Sequence, residues 1–216
     1  MDEVLTENEN TSSVSFADSF SFPEKPLLQS APRRDIIPAL QDVGGGAFDA
    51  PLMQEIAAAA AQPRNDTVDW EIIMKKVLFV CHGNICRSPM GQYVLQDMVN
   101  KAGLAEQFHI ASVAVSREEL GNPVYPPARR EMNRHGVACD GHRARQITQA
   151  DVDGYEHIYY MDRSNLRYLN RMFPGETKFK PFLSRDVADP WYTGDFTQTW
   201  ADICEGCTRI LKELSE

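Results

Sequence analysis

Residues 77–89 read Val77-Leu78-Phe79-Val80-Cys81-His82-Gly83-Asn84-Ile85-Cys86-Arg87-Ser88-Pro89. Four apolar residues in a row suit a strand buried on both faces, the kind found in parallel sheets covered by helices. Helical spacing begins directly afterwards, with apolar residues at Met90, Val94, Leu95 and Met98 and Gly103 just past the end. Strand, short loop and helix in this order constrain the chain to an α/β fold, with the loop at the carboxyl end of the strand, where such folds place ligands. Ser88 is a suitable N-cap and Pro89 a suitable first helical residue.

Cys81 and Arg87 bracket five residues, a spacing that suits a loop wrapped around a phosphate. His82, Gly83, Asn84, Ile85 and Cys86 can curl so that backbone N–H groups point inward at an anion. The helix N-terminus adds free N–H groups and a favourable dipole. Arg87 supplies a planar fork for two phosphate oxygens. Cys81, at the end of the strand, lies beneath the bound phosphorus. The same groups favour a thiolate, the nucleophilic form of cysteine. Attack on phosphorus then gives a phosphocysteine intermediate, with Arg87 and the loop amides holding the equatorial oxygens.

Expelling an alkoxide or phenoxide requires an acid. The candidate is Asp189, in Ala188-Asp189-Pro190-Trp191-Tyr192. Pro190 holds Asp189 out of helical geometry, and Trp191 and Tyr192 are aromatic walls suited to a flat substrate ring.

These motifs resemble the low-molecular-weight protein tyrosine phosphatases. The matching stretches are the cysteine loop, Gly121-Asn122-Pro123, Arg134-His135-Gly136, Ala144-Arg145-Gln146-Ile147, Met161-Asp162-Arg163-Ser164-Asn165-Leu166 and Asp189-Pro190-Trp191-Tyr192, in the family's order. The resemblance implies Cys81 as nucleophile, Arg87 as phosphate clamp and Asp189 as general acid, then base. It also implies that Asn84, Ser88, Ser112 and His142 form a hydrogen-bond network that shapes the loop. Relatives acting on phosphoarginine are expected to carry Thr where this chain has Ile85, so Ile85 favours phosphotyrosine. Many members place an aromatic on the pocket rim where this chain has Glu118, so its rim is acidic and a bacterial-type substrate range is expected. The implied partners are phosphotyrosine proteins, a bacterial tyrosine kinase among the candidates.

The net charge of −9 is unevenly spread. Residues 1–73 hold 13 acidic and 4 basic side chains, whereas residues 74–216 hold 18 of each. The phosphatase-like part (74–216) is therefore neutral and lacks the basic face that nucleic-acid binding favours. Residues 1–73 read as an acidic, disordered extension, rich in Ser, Asn, Pro and Gly without sustained periodicity. Residues 51–62 have the makings of a short helix. Two readings of the extension stand: a docking tail, or a segment absent from the natural protein because translation starts at Met74; the second is favoured.

No apolar stretch is long enough to span a bilayer and no secretory signal precedes the domain, so no membrane association is expected. Five cysteines, Cys81, Cys86, Cys139, Cys204 and Cys207, form an odd and uneven set. They point to a reducing, cytoplasmic compartment.

The remaining pattern predicts strands over 110–115, 158–161 and 178–182. It predicts helices from Pro126 to about Gly136, after a Ser164 cap, and over 196–214. Alternating strands and helices imply a doubly wound, four-stranded parallel sheet with helices on both faces.

Cys86 is either a packing residue or a partner that forms a disulfide with Cys81 after oxidation, protecting it from over-oxidation. Cys204-x-x-Cys207 reads as core packing, with no second ligand pair for a metal. His82 lines the pocket mouth without a chemical role. The chemistry requires neither metal nor organic cofactor. Two other function classes stand beside the phosphatase: an arsenate reductase, for which Cys139 stands alone where two further redox cysteines are needed, and a phosphate-binding module without turnover, against which intact Cys81, Arg87 and Asp189 argue.

Overall fold

A computed structural model describes residues 74–215 and the isolated, exposed helical positions Gln54 and Ala58. The expectations for the extension, and for the rest of the 51–62 helix, lie outside the described residues.

Among the described residues four strands form one sheet: β1 (Lys75–Cys81), β2 (Phe108–Ala114), β3 (His157–Tyr160) and β4 (Phe179–Pro181). Their order is β2-β1-β3-β4, and every pairing is parallel. Six α-helices accompany them: α1 (Arg87–Lys101), α2 (Pro126–Arg134), α3 (Gln149–Gly154), α4 (Arg163–Met172), α5 (Pro190–Thr193) and α6 (Phe196–Ser215). The expected doubly wound α/β sheet is thus the observed one.

β1 lies inside the sheet and shows why its apolar run is unbroken. Val77, Phe79 and Cys81 pack on one face, with Met90, Val94, Leu95 and Met98 of α1 and Ile203, Ile210 and Leu211 of α6. Leu78 and Val80 pack on the other, with Val152 of α3 and Leu169 of α4. Side chains alternate across a strand, so a strand covered on both faces needs an apolar residue at every position. Each such buried side chain contributes about 1.5–3 kcal/mol.

β1 pairs with β2 on one side and β3 on the other. The chain reverses its direction of winding there, so the loops after β1 and its neighbours open a crevice at their carboxyl ends. Cys81 is the last residue of β1 and stands at that crevice.

Three helix starts differ from the expected ones. α1 begins at Arg87, and its N-cap, Cys86, makes no side-chain cap bond. Ser88 is not the cap because its hydroxyl is engaged by Cys81 and Asn84. The cap of α4 is Asp162 rather than Ser164; its Oδ1 accepts the Asn165 N–H at 2.7 Å. α3, absent from the expected elements, starts at a reciprocal capping box between Thr148 and Asp151.

Candidate active site

The loop after β1 is built around Asn84, which has φ +58°. This left-handed backbone is uncommon for a residue other than glycine, and Asn tolerates it best. It turns the Asn84 N–H toward Cys81 Sγ, at 3.3 Å. The side chain then ties the loop to three other segments. Nδ2 donates to Ser88 Oγ and to Ser112 Oγ, both at 2.9 Å. Oδ1 accepts the Arg145 N–H at 3.1 Å. The Asn84 carbonyl accepts from His142 Nε2 at 2.8 Å.

Ser88 Oγ lies 3.0 Å from Cys81 Sγ. An amide nitrogen can only donate, so the Ser88 hydroxyl proton is left to the sulfur or to the Val113 carbonyl, 3.3 Å away. The Asn84 N–H thus faces Sγ, with the Ser88 hydroxyl within reach of it, an arrangement that suits a thiolate. Ser112 in turn donates to Gln92 Oε1 at 2.6 Å. Burial holds His142 below the ordinary imidazole value, against the bond to the Asn84 carbonyl and with the nearby Arg143 charge. The neutral ring that results still carries the proton donated to that carbonyl.

Arg87 is 2 % exposed, and every group around it accepts. Nη1 donates to Asp162 Oδ2 at 2.5 Å and to the Val187 carbonyl at 3.0 Å. Nη2 pairs with Asp189 Oδ2. Burial alone would lower the guanidinium's pKa; the charges of Cys81, Asp189 and Asp162 outweigh it and raise it. Asp162 therefore does two jobs, one oxygen capping α4 and the other holding Arg87. Asp189 is similarly divided: Oδ1 accepts the Trp191 N–H at 3.1 Å as the cap of α5, while Oδ2 faces Arg87.

These groups surround a cavity of about 120 Å³ lined by Cys81, His82, Gly83, Ile85, Cys86, Arg87, Asp189, Trp191 and Tyr192, together with Glu118 and Glu119. Asn84, Ser88, Ser112 and His142 are not among its lining residues; all four are buried and joined in the network behind the loop. The side chains of Asn84 and Ser88 are thus engaged in shaping the loop. Gly83 permits close approach: a Cβ there would come within 3.0 Å of Glu119 Cγ.

The rim holds residues that the linear motifs did not single out. Glu119 sits beside Glu118 in the cavity wall. Tyr125 packs against Trp191 with ring centroids 5.1 Å apart. His82 joins Glu118 Oε2 at 3.0 Å and meets the ring of Tyr168 edge-on at 5.7 Å. Tyr125 and Tyr168 carry no local signal, since only the fold brings their helices to the mouth.

Of the remaining cysteines, only Cys86 lines this cavity. Cys86 is buried under the loop, and burial, with the negative charges of Cys81 and Asp189, pushes its thiol up. All five cysteines are free and buried. Cys204 and Cys207 face the core from α6. Among the described residues no group of three or more His, Cys, Asp or Glu side chains is arranged to hold a metal ion, and no helix is long and apolar enough to cross a membrane.

The sequence profile of the low molecular weight phosphotyrosine protein phosphatases matches residues 76–216. The chain is 44% identical over 157 residues to the low molecular weight phosphotyrosine protein phosphatase of Rattus norvegicus, a match covering 68% of this chain and 97% of that protein. It is 34% identical over 152 residues to the low molecular weight protein-tyrosine-phosphatase YfkJ of Bacillus subtilis, covering 66% of this chain and 97% of the relative. The crystal structure of YfkJ superposes with a TM-score of 0.63 over 65% of this chain and 94% of its own. The Drosophila arginine phosphatase DARP superposes with a TM-score of 0.60 at 28% identity, over 66% of this chain and 97% of its own. With its parallel sheet, its cysteine loop after β1 and the profile match across the whole of that fold, the chain belongs to the low molecular weight phosphotyrosine protein phosphatase family, enzymes that hydrolyse phosphoric monoesters.

Proposed function

We propose that the protein hydrolyses phosphotyrosine in proteins through a phosphocysteine intermediate, with Cys81 as nucleophile, Arg87 as phosphate clamp and Asp189 as general acid and then base. The observation that carries this reading is the shared cavity: Cys81, Arg87 and Asp189 line one pocket, with Asn84 N–H and Ser88 Oγ turned to the sulfur.

In the first step the Cys81 thiolate attacks phosphorus and the ester P–O bond breaks. The leaving phenolate oxygen takes a proton from the Asp189 carboxyl group. Substrate phosphate competes with the Asp189 carboxylate for Arg87 Nη2, so binding frees Asp189 to face the ester oxygen. In the second step water attacks phosphorus and gives its proton to Asp189 as the S–P bond breaks. Phosphate leaves and the thiolate is restored. Asp162 and the Val187 carbonyl keep Arg87 aimed throughout. His82 and the loop residues Gly83, Ile85 and Cys86 form the wall around the phosphate, and Trp191 and Tyr192 flank the substrate ring. Ile85 supports phosphotyrosine over phosphoarginine. The partners are phosphotyrosine proteins, a bacterial tyrosine kinase among the candidates, and a reducing cytoplasm suits the free thiol.

The test is phosphate release from a phosphotyrosine peptide at mildly acidic pH without added metal. Turnover is expected in the wild type, abolished in Cys81→Ser and slowed about 10²–10⁴-fold in Asp189→Asn. Freshly reduced wild type that releases no phosphate would overturn the reading.

A further inference from the structure

The catalytic cavity opens sideways into a larger groove, of about 650 Å³, that runs along α4. His82, Arg87, Asp189 and Tyr192 line both spaces. A substrate seated on Cys81 therefore has its neighbouring residues within reach of this groove.

The groove's charges are unevenly satisfied. Arg87 is held by Asp162 and Asp189. Arg163 is paired with Asp186 at 3.1 Å. Arg167, one turn further along α4, is exposed and lines the groove. It has no ion pair among the described residues. The opposite rim has the reverse character, since Glu118 and Glu119 line the cavity there. The mouth is thus polarised, acidic on the side of the β2–α2 connection and basic at Arg167.

Beside Arg167 the groove offers an aromatic surface. Tyr168, the next residue, lines the groove and meets the ring of His82 edge-on.

We propose that this groove is a docking subsite for the segment flanking the phosphotyrosine, with Arg167 pairing an acidic side chain of that segment. The subsite rests on the phosphotyrosine reading and narrows its substrate class: phosphotyrosine beside Asp or Glu on one side, while Glu118 and Glu119 disfavour acidic residues on the other.

The experiment compares phosphotyrosine peptides that place Glu, Ala or Lys up to three residues before or after the phosphotyrosine. It measures kcat/KM with the full-length wild type, Arg167→Ala and Arg167→Glu. The wild type is expected to favour Glu over Lys on one side only, by about two- to fivefold for a single exposed charge pair. That ratio should fall toward one in Arg167→Ala, reverse in Arg167→Glu and shrink as salt screens the contact. Because each variant is its own reference across peptides, a general loss of activity leaves the ratio readable. Turnover of all peptides with no preference for Glu on either side, or a preference untouched by Arg167→Glu, would overturn the subsite alone. No turnover of any phosphotyrosine peptide would overturn the phosphatase reading and the subsite with it.

Discussion

Arg145 donates its backbone N–H to Asn84 Oδ1 at 3.1 Å, and its guanidinium is held in two 2.8 Å bonds by Asp151. The loop that carries Cys81 is therefore braced from a segment some sixty residues further along the chain. Asp151 is itself fixed by the N–H and hydroxyl of Thr148, at 2.8 and 2.7 Å.

This brace has a pH dependence. Burial would raise the Asp151 carboxyl, but the bonds from Arg145 and Thr148 outweigh it and hold it below its ordinary value. A carboxylate whose folded pKa is depressed contributes stability that is present above the unfolded value, about 3.9, and lost as pH falls through the folded one. Asp151→Asn should lower stability at pH 7 by about 1–3 kcal/mol, with the gap to wild type closing at acid pH, below the ordinary carboxyl value of about 3.9. Urea titrations at both pH values check this; an equal gap at both would refute it.

Asn84 combines a conformational and a bonding role, and two substitutions separate them. Asn84→Gly keeps the left-handed backbone accessible but loses the side-chain bonds to Ser88, Ser112 and Arg145. Asn84→Ala loses both and should be less stable than Asn84→Gly by about 1 kcal/mol. Both should cut kcat, since the N–H on Cys81 Sγ depends on this residue. Equal stability of the two variants in chemical denaturation would contradict a strained backbone at this point.

Gly206 on α6 lies against the ring of Phe182. A Cβ at this position would fall 2.2 Å from Phe182 Cζ, and Phe182 is fully buried. Alanine is the better helix former by about 1 kcal/mol, yet Gly206→Ala should destabilise by about 1–3 kcal/mol through overpacking. A lowered midpoint in thermal or urea unfolding is expected; an unchanged or raised one would show that the ring moves aside freely.

The C-x-x-C of α6 should behave as packing. Burial pushes the Cys204 thiol up to about 12 and the Cys207 thiol well above its ordinary value, and Cys207 Sγ contacts the Gly91 carbonyl at 3.5 Å. Iodoacetamide at neutral pH should label Cys81 first and leave both α6 cysteines unmodified in the folded protein. Peptide mapping reads this directly, and early labelling of Cys207 would count against a packed role.

The strands and long helices were legible because their signals are local. The apolar run at 77–80 lies inside β1, and the spacing from Met90 to Met98 inside α1. Short capped elements were less legible. α3 is six residues long and rests on a box closed by Asp151, where a longer Glu or Gln is the usual partner. The start of α4 was misplaced because Asp162 and Ser164 are both good caps. The choice between them follows from Arg87, which draws Asp162 into position from the other side.

The same division runs through the site. By itself the sequence determined the family, the parallel α/β fold, the cysteine loop and the proximity of Cys81, Ser88 and Arg87, because a loop of five residues leaves its ends little freedom. Only the tertiary structure decided which way each side chain faces. It turned Asn84 and Ser88 inward to the network, gave Arg87 two carboxylates from separate segments and placed Tyr125 against Trp191. It also left Arg167 exposed and without an ion pair in the groove beside the cavity. Hydrogen bonds and ion pairs act over a few ångströms between residues up to a hundred positions apart, as between Arg87 and the Val187 carbonyl; no local pattern encodes that distance, and the packing of the sheet does.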